Sequence, residues 1–110
     1  MMYVRTAYFE GDLTDEQKKE FQEYMTTTVA PIIRTFPGCQ GVQINYPDAL
    51  EPAAPQNSLL MIQHAYTSKE ALASALDSEE RVKSMNATMK IVEKFDVKVF
   101  HINFNRDAIA

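Results

Sequence analysis

Two histidines and an arginine are the residues of this 110-residue sequence best suited to chemistry. Arg5, His64 and His101 each lie in a segment whose apolar residues predict a β-strand. A neutral imidazole accepts a proton near neutral pH, and a guanidinium stabilises negative charge that develops on an oxygen. If the protein is catalytic, we expect chemistry without cofactor or metal: proton abstraction or oxygen-dependent oxidation of an activated carbon acid. His101 or His64 would act as base, and Arg5 would stabilise the developing negative charge.

Four further polar residues are candidates for binding a substrate: Gln43, Gln63, Tyr46 and Tyr66. Gln63 and His64 are adjacent on a strand that is apolar on both parities, so the pattern does not decide which of them points into a cavity. Tyrosines on a sheet mainly contribute packing area, although their hydroxyls can also reach a ligand. The alternative is that all these residues are unrelated polar positions on strands, each hydrogen-bonded in place.

Sequence motifs for metal, dinucleotide and nucleophile chemistry are missing from the chain. The two histidines do not have the H-x-H or H-x-x-x-H spacing of a metal site, and no G-x-G-x-x-G or nucleophile-elbow spacing is present. Cys39 is the single cysteine, which excludes an internal disulfide and favours a reducing, cytoplasmic location.

Charge and hydropathy make nucleic acids and membranes poor partners. The net charge is -4 and the pI is about 5.1, so phosphate backbones and anionic lipid heads repel the chain. The longest aliphatic run covers only residues 59–62, which is too short to span a membrane. The amino terminus alternates like a strand and lacks the apolar run of a signal peptide.

The periodicity predicts one domain, residues 1–110, built of four strands and several helices. Strands are expected over residues 2–9, 39–46, from 59 onward and 97–104. Capping boxes at Thr14/Gln17 and Thr67/Glu70 start two helical segments. Pro31 kinks the first segment or begins a shorter second piece, and Asp77 and Ser78 offer the start of a further helix. This order predicts an α+β, ferredoxin-like βαββαβ fold: a four-stranded antiparallel sheet in the order 4-1-3-2, with all helices on one face.

The face without helices is expected to be apolar. On the alternation of the first and last strands, we predict that Tyr3, Phe9, Val97 and Val99 lie there, and His101 with them. Such a surface is larger than a monomer usually exposes, so a second copy is expected to cover it in a two-fold homodimer. On this interpretation the ligand cavity lies between the two sheets. Met25, Met61, Met85 and Met89 are expected in the core.

Two phrases, APIIRTFPGCQG and QHAYTSKEALASALDSEE, together with the order of elements, resemble the EthD-like members of the dimeric α+β barrel superfamily. EthD proteins are associated with ethyl tert-butyl ether degradation, and the resemblance covers roughly residues 4–104. It implies a dimeric α+β barrel that binds a small apolar organic compound in the catabolism of organic compounds, as an accessory protein or oxidoreductase. Cofactor-independent monooxygenases, muconolactone-type isomerases and non-enzymatic dimers in the superfamily keep those alternatives open.

One position departs from the pattern that this family resemblance implies. Many EthD-like sequences carry a histidine directly before the Ala-Pro of the first helix, where this chain has Val29. An activity that needs that imidazole is therefore not expected here.

Overall fold

Four antiparallel strands form the sheet on which the helices pack, in a computed structural model that describes residues 1–109. The strands are β1 (Met2–Glu10), β2 (Gly41–Asn45), β3 (Ser58–Tyr66) and β4 (Lys98–Arg106), and their order in the sheet is β2-β3-β1-β4. This confirms the predicted antiparallel ferredoxin-like α+β fold and its strand order. β2 is shorter than the segment predicted from the sequence.

The first helical segment begins where its capping box predicts and then changes pitch. Thr14 and Gln17 cap α1 (Asp15–Tyr24) reciprocally. A π-helical turn, Met25–Val29, separates it from α2 (Ala30–Arg34). Pro31 cannot donate a backbone hydrogen bond, and the wider turn before it absorbs that interruption. The predicted interruption of the helix at Pro31 is therefore confirmed: a π-helical turn is followed by a shorter second helix.

The second pair of helices starts at two serines. Ser68 caps α3 (Lys69–Leu76) by accepting from the backbone N–H of Ala71, so the predicted capping box at Thr67 and Glu70 is wrong. The error has a simple cause: β3 runs to Tyr66, and Thr67 serves as the bend between strand and helix. Ser78 caps α4 (Glu79–Phe95) as predicted. No helix within residues 1–109 is long and apolar enough to cross a membrane.

The pairing register determines which side chains face the helices. β1 pairs Arg5 with His64 and Ala7 with His101, so these four residues lie on one face of the sheet. Phe9 lies on the same face and packs against Phe21 of α1, with ring centroids 5.6 Å apart. This is the face that the helices cover, and we call it the covered face.

The sequence-based assignment of faces is therefore wrong. Tyr3, Phe9 and Val99, predicted on the bare side, pack with the helices, and Val97 belongs to the same buried core. The opposite, helix-free face carries a different apolar set: Tyr8, Met61, Phe100, Ile102 and Phe104. Both alternating sets of β1 and β4 are apolar enough to enter a core, so alternation alone could not tell them apart.

The methionines divide between the interior and the surface. Met25 is fully buried in the core, as predicted. Met85 and Met89 are each 43% exposed on α4, so the prediction that they lie in the core is wrong. Met61 is half-buried on the helix-free face. The deepest positions of α4 are instead Ser84 and Ile91.

Candidate functional site

A cavity of about 240 Å³ lies between the covered face of the sheet and the helices. Most of its wall is apolar and comes from the helical segments and three strands; its apolar lining includes Met25, Val29, Ile33, Phe36, Ile62 and Val99. An apolar cavity of roughly 150 Å³ holds a benzene molecule, so this one has room for about one substituted ring. The cavity is thus on the side opposite to the one predicted, inside one chain rather than between two sheets.

Arg5, His64 and His101 all line this cavity. Arg5 and His64 are direct partners across the β1–β3 pair, and His101 lies across from Ala7, two residues further along β1. Side chains two residues apart on a strand share a face, so the sheet brings the three together. Their predicted convergence on one cavity agrees with this arrangement, although the face differs and their roles in chemistry stay a prediction.

His64 is a buried part of the cavity wall and is held in place by its neighbours. Its side chain is only 5% exposed, its Nδ1 hydrogen-bonds the Tyr66 hydroxyl at 2.7 Å, and the Phe36 ring packs against it edge-on at 5.6 Å. Burial, with smaller contributions from the charge of Arg5 and from His101, lowers the pKa of His64 to about 4. At neutral pH this imidazole is uncharged, and with Nδ1 engaged, Nε2 is the nitrogen left for a ligand.

Tyr66 supports His64 and does not itself line the cavity. The side chain is fully buried, and burial, followed by the neighbouring Cys39 thiol, raises the pKa of Tyr66. Its hydroxyl therefore stays protonated and available for the hydrogen bond to His64. Tyr66 thus lies one layer behind the cavity wall, and substrate binding by this residue stays a prediction.

His101 occupies a wetter part of the same wall. Its side chain is exposed in the isolated chain, unlike that of His64. Desolvation, then the charges of Arg5 and Arg81, lower the pKa of His101. Because water reaches this ring, desolvation disfavours its charged form less than it does at His64. Both imidazoles are therefore neutral proton acceptors near pH 7, the buried one more firmly.

A second guanidinium, which the sequence reasoning missed, lines the cavity from α4. Arg81 shares one helix face with four other lining residues, which are Ser84, Met85, Thr88 and Met89. Their spacing of three, one, three and one is the signal that could have found this face. Arg5 is half-buried, and burial, followed by the charge of Arg81, lowers the pKa of Arg5.

Gln43, Gln63 and Tyr46 lie away from the cavity. Gln43 and Gln63 pair across β2 and β3 on the helix-free face, where they border a second hollow of about 320 Å³. Tyr46 is exposed just after β2, and its hydroxyl meets that of Thr26. The register resolves the open choice on β3: His64 faces the cavity and Gln63 does not. The structure thus places Gln43, Gln63 and Tyr46 outside the cavity that Arg5 and His101 line, and substrate binding by these three residues stays a prediction.

Two polar side chains that line the second hollow are hydrogen-bonded within the chain. Arg106 donates to Gln63 Oε1 at 3.3 Å, and Gln63 Nε2 donates to Thr6 Oγ1 at 3.3 Å. Across residues 1–109, no three His, Cys, Asp or Glu side chains are grouped closely enough to hold a metal ion.

The chain has the fold of several solved proteins. An EthD family protein of Bacillus halodurans matches with a TM-score of 0.79 and 23% identity, over 97% of this chain and 100% of that one. SnoaB, a cofactor-independent oxygenase from Streptomyces nogalater, matches with a TM-score of 0.68 and 14% identity, over 98% of this chain and 95% of its own.

A third match is a dimeric protein of unknown function with a ferredoxin-like fold from Bacteroides fragilis. Its TM-score is 0.68 at 10% identity, over 96% of each chain. No protein-family model matches the sequence, and no curated protein matches it significantly. At these identities the likeness establishes an EthD-like α+β fold, and activity must be argued from the cavity.

Proposed function

We propose that this protein binds a small, mostly apolar organic compound in the cavity between its sheet and its helices. The observation that carries the proposal is a cavity of about 240 Å³ with an apolar wall and three polar side chains converging on one side, Arg5, His64 and His101. Apolar walls with a few fixed polar groups are typical of small-molecule sites. A place in the catabolism of organic compounds stays a prediction, since it rests on the family resemblance.

A second candidate function is cofactor-independent proton abstraction from the bound compound. It is favoured by a neutral, rigidly held imidazole at His64 directly across from a guanidinium at Arg5. With Nδ1–H of His64 donating to the Tyr66 oxygen, Nε2 carries no proton. A C–H or O–H proton of the ligand would pass to it, or to the unprotonated nitrogen of His101, and Arg5 would stabilise the resulting anion. Attack of dioxygen on that anion leads to an oxygenase, and return of the proton to another carbon leads to an isomerase.

Self-association through the helix-free face completes the proposal. Tyr8 and Phe100 stack there with centroids 5.0 Å apart, and Ile102 and Phe104 beside them are about two-fifths exposed. Contiguous apolar surface of this kind favours a two-fold partner. The Bacteroides fragilis neighbour is described as dimeric, which supports self-association.

Thermal stability in the presence of small neutral probes tests the site. Toluene, phenol and benzamide should raise the Tm, by roughly 4 °C for each kcal/mol of binding free energy in a domain of this size. Filling the cavity with Ser84→Phe should abolish the increase, because Ser84 is buried and lines the cavity. Asn86→Phe, exposed on the same helix, is the matched control and should keep it.

Two results would reject this assignment of the site. One is a ligand-induced Tm increase that survives Ser84→Phe in a variant with an unchanged circular dichroism spectrum. The other is that no probe raises the Tm at any soluble concentration. For the catalytic candidate, replacing both His64 and His101 with glutamine should abolish turnover of a compound that the wild type converts, and unchanged turnover would remove it.

A further inference from the structure

The cavity holds two positive charges and no negative one. Arg5 reaches it from β1 and Arg81 from α4, and no Asp or Glu is among the residues that line it. Within residues 1–109 the one ion pair is Lys94 with Glu20, which lies on the exposed surface. Neither guanidinium of the cavity therefore has a carboxylate partner in the described part of the chain.

Such an arrangement is unfavourable without a ligand. The side-chain hydrogen bond that Arg5 makes goes to a neutral amide oxygen, Asn103 Oδ1, at 3.3 Å. A charge drawn partly out of water without a counter-charge loses solvation, and a second cation nearby adds repulsion. Burial, and after it the positive charge of Arg81, lowers the pKa of Arg5. An anion between the two guanidiniums would offset both costs.

We infer that the ligand is an organic oxyanion: an apolar body of about one ring that carries a carboxylate or an ionised phenol or enol oxygen, held by Arg5 and Arg81. This inference rests on the proposed function and deepens it by giving the chemical class of the compound. Arg81 becomes a binding residue that no sequence motif marks. The guanidinium has the planar fork that pairs with two oxygens of a carboxylate.

The rest of the wall favours an organic acid over a phosphate compound. Met25, Val29, Ile33 and Phe36 leave most of the cavity apolar, whereas phosphate sites use glycine-rich turns and backbone N–H groups. The two histidines are neutral, so they add hydrogen-bonding nitrogens without adding charge. One charged end and one apolar body therefore suit the cavity best.

Matched probes of equal size test the charge requirement. Benzoate and benzamide differ mainly in charge, and charge-assisted hydrogen bonds of about 1.5–3 kcal/mol correspond to a preference of roughly 10- to 100-fold for benzoate. In a separate arm, 4-nitrophenol should bind as its coloured anion, detected by absorbance. A benzoate preference supports a carboxylate, anionic nitrophenol supports a phenolate, and the inference fails if neither is seen.

Variants of α4 separate this site from general electrostatic attraction. Arg81→Gln should weaken benzoate binding about 10-fold and leave benzamide unchanged. Arg81→Lys, which keeps the charge, should restore part of the loss. Lys83→Gln removes the same charge from an exposed position of the same helix that does not line the cavity, and it should have little effect.

The outcomes distinguish this inference from the function beneath it. Equal binding of benzoate and benzamide together with no binding of anionic nitrophenol, or equal losses in Arg81→Gln and Lys83→Gln, would overturn the oxyanion while leaving the cavity a ligand site. Failure of the neutral probes and the anions alike would overturn both. Isothermal titration calorimetry at two salt concentrations gives the affinities, and circular dichroism checks that each variant is folded.

Discussion

The two faces of the sheet both carry apolar side chains, yet the chain treats them differently. On the covered face, Ile62 is 1% exposed and packs beneath the helices, whereas Ile102 on the helix-free face is 43% exposed. The polar groups differ in the same way. Arg5 on the covered face is half-buried in a cavity that Arg81 also lines, while Arg106 on the other face is exposed to water; each donates to a neutral amide oxygen at 3.3 Å.

This contrast separates two kinds of apolar surface. Where the helices cover the sheet without filling all the space, a cavity remains, and its uncompensated guanidiniums call for a ligand. Where no helix covers the sheet, apolar side chains and Arg106 are open to water, which suits a flat partner surface. The ligand and the partner are therefore expected on opposite faces.

The largest expected effect is on stability, in a matched pair of isoleucine truncations. Ile62→Ala should lower the free energy of unfolding by about 2–5 kcal/mol, because it removes buried methyl groups from the central strand. Ile102→Ala should cost less than about 1 kcal/mol in dilute, monomeric protein, since water already reaches the side chain. Urea denaturation measures both. Equal losses would mean that the faces are not distinct in burial.

The second prediction concerns acid and the buried histidine. The pKa of His64 is lowered from 6.5 to about 4, so between these values the unfolded chain binds more protons than the folded one. Stability should therefore fall as the pH drops through this window, by about 2 kcal/mol between pH 7 and pH 5. Above about pH 6.5 this group should have no effect.

His64→Gln should remove this part of the pH dependence, and urea denaturation at the two pH values measures it. His101→Gln is the comparison on the same face, and its effect should be smaller because its side chain is exposed. An identical loss of stability on acidification in wild type and His64→Gln would contradict the assigned burial.

A charge on the helix-free face should disrupt self-association without disturbing the ligand site. Ile102→Glu adds a carboxylate among Tyr8, Phe100 and Phe104, and it should weaken the dimer at least about 10-fold by desolvation of that charge. Analytical ultracentrifugation gives the dissociation constant, and benzoate affinity should stay unchanged. A wild type that remains monomeric at high concentration would remove the proposed dimer.

The smallest effect distinguishes two tyrosine hydroxyls. Tyr66→Phe leaves the buried Nδ1 of His64 without its partner and should cost about 1–2 kcal/mol of unfolding free energy. Tyr46→Phe removes an exposed hydroxyl that contacts Thr26, so its cost should be well below that. Thermal unfolding compares the two, and a larger loss for Tyr46→Phe would show that burial does not set the difference.

Much of the fold could be predicted because local signals and the order of elements agree. Thr14 and Ser78 each precede a helix, where the side-chain oxygen accepts a hydrogen bond from a free backbone N–H. Pro31 interrupts its helix because proline has no backbone N–H to donate. Thr67 failed as a cap because Ser68, equally able to cap, lies next to it. When two neighbouring residues can both cap a helix, the residue at which the preceding strand ends determines which of them is the cap.

The site could be predicted only in part, because the two faces of the sheet have similar apolar patterns. Alternation grouped Arg5 and His101 with the correct neighbours but could not say which face the helices cover, since both faces are apolar. The helical spacing predicts Met85 and Met89 in the core, because residues that line a cavity follow the same spacing on a helix as core residues do. Arg81 lies far from Arg5 in sequence, and its proximity depends on tertiary packing.

The chain contains two histidines, which gives the central claim a direct test by nuclear magnetic resonance. On titration with benzoate, we expect the ring signals of His64 and His101 to shift while the side-chain amide signals of Gln43 and Gln63 stay in place. That result would put the ligand between the sheet and the helices. Shifts of the two glutamine amides with an unmoved His101 signal would put it on the helix-free face and contradict the account, whatever His64 does, since His64 also borders the second hollow.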